Sequence, residues 1–152
     1  MFGLRKGRYA ARLAAGDDDV RAAQRLRHLA FFANRGGARI GGLDADAFDA
    51  ICHHVLVEEV RSGALVACFR LLPLAGGAEI GRSYSAQYYE LSALSAFEGR
   101  MVEMGRFCIH PERHDPDIVR VAWGAMTRFV DEAGVEMLFG CSSFAGTEAA
   151  AY

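Results

Sequence analysis

The sequence has no apolar run approaching the ~18 residues that mark a membrane-spanning helix. Its first residues, MFGLRKGRYAAR, carry basic side chains but no following apolar stretch of signal-peptide length. A membrane span and a cleaved secretory leader are set aside, and the chain reads as cytoplasmic. A basic excess is also missing, since 17 lysines and arginines face 19 aspartates and glutamates for a net charge of -2. That balance argues against nucleic acid as a partner and makes any charge-based recognition local. No Cys-x-x-Cys pair occurs. Cys52, Cys68, Cys108 and Cys141 are widely spaced, the pattern of free structural thiols rather than of disulfides or a zinc site. His110, Glu112 and His114 come nearest to a metal-ligand group, but Pro111 opposes the helix that would bring both histidines onto one face, and no metal site is expected.

What is present suits a single domain over residues 1–152, 52% hydrophobic, with one core that buries about two thirds of the extended surface. Tyr9–Leu13 reads as a first strand. A helix from Asp19 to about Ala33 follows, with Ala22, Ala23, Leu26, Leu29 and Ala30 on its apolar side and Arg21, Gln24, Arg25 and His28 on the other. The glycine-rich stretch 34–47 reads as a loop leading into a short helix near Asp46–Ile51. Asp44, Asp46 and Asp49 there are turn and cap residues by default, or ligands for a substrate amine. His54–Val57 and Ala64–Leu72 form a hairpin, and Arg70 at the end of the second buried strand calls for a carboxylate or phosphate partner. Residues 75–100, which carry Tyr84, Tyr88, Tyr89, Leu91, Leu94 and Phe97, are expected to be a core helix, with a flap over an apolar ligand as the alternative.

The chemistry concentrates in VEMGRFCIHPERHDPD, Val102–Asp117. Strict strand alternation would send Glu103 and Arg106 to opposite faces. Gly105 between them predicts a bulge that re-aims both and frees a backbone N–H. Asp115 and Pro116 are an N-cap and first helical residue, the stripe Ile118, Val121, Ala122, Ala125, Phe129 and Val130 makes the helix, and Gly134 stops it. A strand from Val135 to Gly140 completes a βαβ unit with parallel strands.

This unit resembles the cofactor-binding half of the GCN5-related N-acyltransferase fold, which implies an α/β (α+β) architecture with a mixed, mostly antiparallel sheet flanked by helices. Arg27 with Phe31, Asp46 with Asp49, Arg70 in FRLLP, and Glu103 with Arg106 together resemble the acyl-homoserine-lactone synthases. The fuller segments LVACFRLLP, YSAQYYELSAL and EMGRFCIHPERHDPDIVRVAWGAMTRFVDEAGVEMLFGCSSFAGTE are still more similar to the L-ornithine N-acyltransferases of ornithine-lipid synthesis. The tryptophan that lactone synthases tend to carry after the arginine and phenylalanine is missing. Members of this family continue beyond the position matching Tyr152, so the chain is expected to be an N-terminal portion or a shortened member, lacking C-terminal strands.

The resemblance implies transfer of a 3-hydroxyacyl group from acyl carrier protein to the α-amino group of ornithine. Glu103 would be the base and Arg106 its catalytic partner. Arg27, Phe31, Asp46, Asp49 and Arg70 would bind substrate, and Gly105, Phe107, Ile109, Arg113 and Ser142 the acyl donor. The usual Q/R-x-x-G-x-G/A pyrophosphate loop is replaced by HPERHDPDIVR, which suits an acyl-phosphopantetheine arm better than coenzyme A, the alternative donor. No permanently bound cofactor is implied. Docking of the acidic carrier would use Arg113, Arg120 and Arg128, or Arg21, Arg25 and Arg27. The free N–H groups of the Asp115–Pro116 helix start should face the cleft that Glu103 faces. A lipid product suggests peripheral contact with the inner face of the membrane, although no amphipathic anchor is evident. The rival readings are a lactone synthase using S-adenosylmethionine, a coenzyme A-dependent N-acetyltransferase, and a non-catalytic domain that binds through strand edges.

Overall fold

The structure, a computed structural model, describes residues 3–32 and 42–141. Strands β1 (Gly3–Lys6), β2 (Tyr9–Leu13), β3 (His53–Glu59), β4 (Leu65–Leu74), β5 (Met101–Ile109) and β6 (Met137–Phe139) form one sheet in that order. Each neighbouring pair is antiparallel except β5 and β6, which are parallel as the βαβ reading requires. Helix α1 (Asp17–Phe32) precedes β3, and α2 (Pro116–Ala133) joins β5 to β6.

The sheet is covered on both faces because its central strands are apolar on both. Val55, Val57, Phe69, Leu71 and Val102 pack with Ile118, Val121, Ala122 and Ala125 of α2. The residues between them in sequence, Leu56, Cys68 and Cys108, face Ala23 and Leu26 of α1 instead. Helix α2 begins and ends as its sequence dictates. The Asp115 side chain accepts from Asp117 N, proline stands at the start, and Gly134 at φ 66 takes the left-handed conformation that closes the last turn.

Four expectations change. A strand, β1, pairs with Tyr9–Leu13 ahead of the first strand foreseen; its four residues carry too little alternation to stand out. Arg27 lies on the buried side of α1, 1% exposed, and so is unavailable to a basic surface with Arg21 and Arg25. Residues 75–100 form no core helix. They make three short 3-10 turns, Gly77–Arg82, Ser85–Gln87 and Ser92–Leu94, that wrap over Leu72, Leu74 and Met101 and leave Tyr88 and Tyr89 exposed. The apolar bulk there has no 3.6-residue period, and short turns bury what it can.

The fourth concerns β5. Cys108 pairs with Cys68 and Gly105 with Arg70, so Arg106 and Phe107 together oppose the single residue Phe69. The bulge is present, but Arg106 carries it at φ 51, not Gly105. β6 is shorter than the expected Val135–Gly140 and pairs only with Met101–Glu103. Gly140 lies against the Met104 carbonyl, where a Cβ would come within 2.5 Å, and there the two strands part. Among the described residues, the edge of β5 from Met104 to Ile109 on that side has no strand partner.

The first turn of α1 is pinned to β2 through Asp19, which accepts from Arg12 at 2.6 and 3.1 Å and from Ala15 N at 2.8 Å. The hydrogen bonds from Arg12 and then Ala15 hold its carboxyl down, from 3.8 to about 2. A carboxyl depressed by folding stabilises fully above its unfolded value, and that stabilisation is lost as pH falls through the folded one. Asp19→Asn should therefore be less stable than the native protein in urea at pH 7, with the gap closing as the pH is lowered from about 4 toward about 2. An equal gap at pH 7 and pH 2 contradicts this role.

Candidate active site

The short helix expected near Asp46–Ile51 is a 3-10 turn, Ala47–Ala50, closed by a reciprocal capping box. Asp46 accepts from Phe48 N, and the Asp49 side chain accepts from Asp46 N. The default reading of these aspartates as caps holds, yet capping uses only part of each carboxylate. Asp49 also accepts from Gln24 at 3.0 Å, from Arg27 at 2.7 and 3.3 Å, and from Arg70 at 2.9 Å. Asp46 accepts from two Arg70 nitrogens at 2.6 and 2.9 Å, and Asp44 accepts from Arg27 Nε at 2.9 Å. α1, the turn and β4 are thereby tied through charge, with Arg27, Asp49 and Arg70 buried.

Burial opposes the charge on Asp49, but hydrogen bonds from Arg27 and Gln24 outweigh it and hold its carboxyl well below the usual range. Asp46 follows the same pattern, burial pushing up and Arg70 pulling the carboxyl down further. For Arg70 burial works against the charged form, while Asp46 and Asp49 reverse it and keep the guanidinium firmly protonated. Cys52, beside the cluster, is pushed up to about 11, first by burial. It is a neutral thiol, no nucleophile.

The third arginine is held differently. Arg106 lies 3.5 Å from Asp46 Oδ2 and 3.6 Å from Asp44 Oδ2, and its side chain is 28% exposed. Among the described residues, its Nε is the one buried side-chain nitrogen or oxygen without a hydrogen-bond partner. Its guanidinium instead lies over the rings of Tyr84 at 5.2 Å and Phe31 at 5.9 Å. Three aspartates balance three arginines, and the weakest bonds fall to the arginine on the bulge.

Glu103 is 4% exposed. It accepts from Tyr84 N and Ser85 N, each at 2.7 Å, and from Ser85 Oγ at 2.5 Å. A carboxylate offers about four lone-pair sites, so roughly one is left for a further donor. The bulge brings Glu103 and Arg106 to one cavity despite their odd spacing.

That cavity has a volume of about 590 Å³, within the range of small-molecule sites. Asp44, Arg70, Tyr84, Glu103 and Arg106 supply its polar lining. Phe31, Phe32, Met104, Phe107 and Trp123 supply apolar lining, and Phe31 lies directly against Arg106. Phe107 stacks on Phe69 at 5.8 Å and on Trp123 at 6.4 Å.

Of the residues singled out in sequence, Phe31, Arg70, Glu103, Gly105, Arg106 and Phe107 meet in this cavity. Arg27 and Asp49 stand behind it, as does Asp46, and hold Arg70 in place. Ile109 pairs with Ala67 and packs into the core. Arg113 bonds Glu59 at 3.2 Å and stands apart. Ser142 lies outside the described residues. The first turn of α2 does not border the cavity; Asp115 is taken by Arg8 and Tyr9, and α2 contributes Trp123 instead. Trp123 was legible only as a large aromatic off the apolar stripe of α2, where it is 47% exposed. No local pattern distinguishes Tyr84 from its neighbouring tyrosines.

The chain matches the family described as acetyltransferase (GNAT) domain over residues 26–124. It is 37% identical over 153 residues to an L-ornithine N(alpha)-acyltransferase of Rhodobacter capsulatus, covering 94% of this chain and 59% of that protein. It is 30% identical over 160 residues to a protein of the same name from Brucella abortus, covering 97% and 57%. The chain thus spans less than three fifths of the length of these curated relatives. The crystal structure of the AHL synthase LasI has the same fold, with a TM-score of 0.60 over 86% of this chain and 70% of that one at 19% identity. A mixed sheet that parts between β5 and β6, a cleft at the parting and a family match over most of the described residues agree: the chain belongs to the GNAT acetyltransferase family.

Proposed function

We propose that this chain forms the catalytic cleft of an N-acyltransferase that moves a 3-hydroxyacyl group from acyl carrier protein to the α-amino group of ornithine, giving lyso-ornithine lipid. The observation that carries the reading is the under-coordinated Arg106 in a cavity lined by both charged and aromatic side chains. Such a cavity suits an amino acid meeting an acyl chain. The names of the curated relatives support the same acceptor.

In this reading the ornithine carboxylate takes the in-plane donors of Arg106, whose present anions stand at 3.5 and 3.6 Å. The distal ammonium goes to Asp44, which lines the cavity; Asp46 and Asp49 stand behind it with their carboxylates already taken. Glu103 accepts the amine proton on its remaining lone pair, directly or through water. The amine nitrogen attacks the thioester carbonyl, a backbone N–H at the Gly105–Arg106 bulge stabilises the oxyanion, the C–S bond breaks, and the thiolate leaves and is protonated. The pantetheine arm of the donor runs along the free edge of β5 from Gly105 toward Ile109, and the acyl chain lies on Phe107 and Trp123. Arg113 reaches the donor phosphate only by leaving Glu59. No described helix is long and apolar enough to cross a membrane. We place the protein in the cytoplasm, with peripheral contact at the membrane's inner face when the lipid product leaves.

Mass spectrometry of the protein mixed with 3-hydroxyacyl carrier protein and ornithine should show N-acylornithine. N-acylhomoserine lactone formed from S-adenosylmethionine, or transfer from acetyl coenzyme A alone, points to the rival enzymes. In the same assay Glu103→Gln should lower turnover about 10²–10⁴-fold, and normal turnover would remove Glu103 as base.

Arg106→Gly separates the backbone from the side chain, because glycine accepts φ 51 without strain. This variant should unfold at or above the native midpoint, while KM for ornithine rises about 10-fold or more through loss of the charge-assisted bonds. An unchanged KM would place the carboxylate elsewhere.

A further inference from the structure

Two guanidinium groups, those of Arg70 and Arg106, lie near one another in the cavity although their like charges repel. Two features are shared between them. One is Asp46, at 2.6 Å from Arg70 and 3.5 Å from Arg106. The other is the ring of Tyr84, whose centroid lies 5.6 Å from Arg70 Cζ and 5.2 Å from Arg106 Cζ. Asp46 is fixed by its capping box. Tyr84 comes from a stretch with no regular structure beyond 3-10 turns, so something else must fix it.

That fixture is Glu103. Two of its three hydrogen bonds come from the backbone N–H groups of Tyr84 and Ser85 and the third from the Ser85 hydroxyl, so a buried carboxylate holds the main chain beneath the ring. The ring is then braced by Phe48, edge-on at 5.5 Å, and by Tyr88 at 5.3 Å. Burial, then the hydrogen bond with Tyr88, raises the Tyr84 phenol, which therefore stays neutral and adds no anion to compete with a substrate carboxylate.

We infer that Tyr84 is a positioning residue that holds the guanidinium groups of Arg70 and Arg106 in a fixed relation, and that Glu103 sets Tyr84 through the main chain in addition to facing the substrate. The inference rests on the proposed acyl transfer for its kinetic consequence, though not for its geometry. With the Tyr84 ring beside its guanidinium, Arg106 keeps one orientation in the cavity, and the planar fork of a guanidinium held in place selects a planar carboxylate. The tether couples the group next to the reacting amine to the group that binds the carboxylate. Tyr84 touches neither bond that changes in the reaction.

The test compares Tyr84→Phe, which keeps the ring, with Tyr84→Leu, which does not. Tyr84→Met serves if the leucine variant fails to fold. The direct readout is the arginine Nε–H region of the ¹H–¹⁵N spectrum. Native protein and Tyr84→Phe should both show ring-current-shifted Nε–H signals for Arg70 and Arg106. In Tyr84→Leu the Arg106 signal should lose the part of its shift that the Tyr84 ring supplies, keeping that of Phe31, and the Arg70 signal should lose the Tyr84 part while keeping that of Phe48. In steady-state assays with ornithine, Tyr84→Leu should raise KM about 10-fold, as expected for loss of a cation–aromatic contact and its ordering, with kcat changed far less. Tyr84→Phe should restore both parameters. Unmoved Nε–H signals in Tyr84→Leu overturn the proposal, as does a Tyr84→Phe protein impaired as severely as Tyr84→Leu, which would give the hydroxyl a chemical role. If the native protein transfers no acyl group to ornithine, the functional reading fails while the spectra still decide the role of Tyr84.

Discussion

Asp49 is the constraint from which the site is built. Its carboxylate collects hydrogen bonds from Gln24 and Arg27 of α1, from Arg70 of β4 and from the backbone of its own turn at Asp46. Removing one partner from a buried pair typically costs about 3–5 kcal/mol, whereas the intact pair gains little net stability once desolvation is counted. Its contribution is therefore geometric. One helix, one strand and an otherwise loose turn are locked into a single arrangement, which supplies a rigid wall for the cavity.

Saturation of that wall gives the site its asymmetry. Arg27 and Arg70 have their donors committed to carboxylates of the protein, but Arg106, lifted onto the β5 bulge, meets the same anions only at 3.5 and 3.6 Å. A left-handed backbone at a non-glycine residue costs of order 1–3 kcal/mol and persists only where its surroundings enforce it. Here the enforcement comes from Cys68 and Arg70 pairing on either side of the bulge. Strain and an unpartnered Nε occur in the same residue, which lines the cavity.

Much of this was legible locally. The capping box at Asp46 and Asp49, the Asp115–Pro116 start and Gly134 stop of α2, and the parallel β5 and β6 follow from short-range rules that tertiary contacts did not disturb. The rest depended on partners far away in sequence. Arg27 falls on a helix position that reads as solvated, and only Asp44 and Asp49 make its burial tolerable. Gly105 looked like the bulge because glycine tolerates one, yet the pairing of Gly105 with Arg70 moved it by one residue. Glu103 reads as a free base in a strand, and its three donors come from a segment whose conformation has no periodic signal. The family resemblance selected some residues that meet in the cavity, but it did not separate them from those, such as Asp49, that support it or those, such as Ile109 and Arg113, that lie elsewhere.

The account turns on Arg106 receiving the carboxylate of an amino-acid acceptor. Calorimetric titration of the protein with ornithine, ornithine amide and 1,4-diaminobutane tests this without requiring turnover. Ornithine should bind at least about 10-fold more tightly than either analogue, with affinity falling as salt is raised, because only ornithine supplies the anion for the open guanidinium edge. Equal binding of all three would show that the carboxylate is not recognised and would contradict the account.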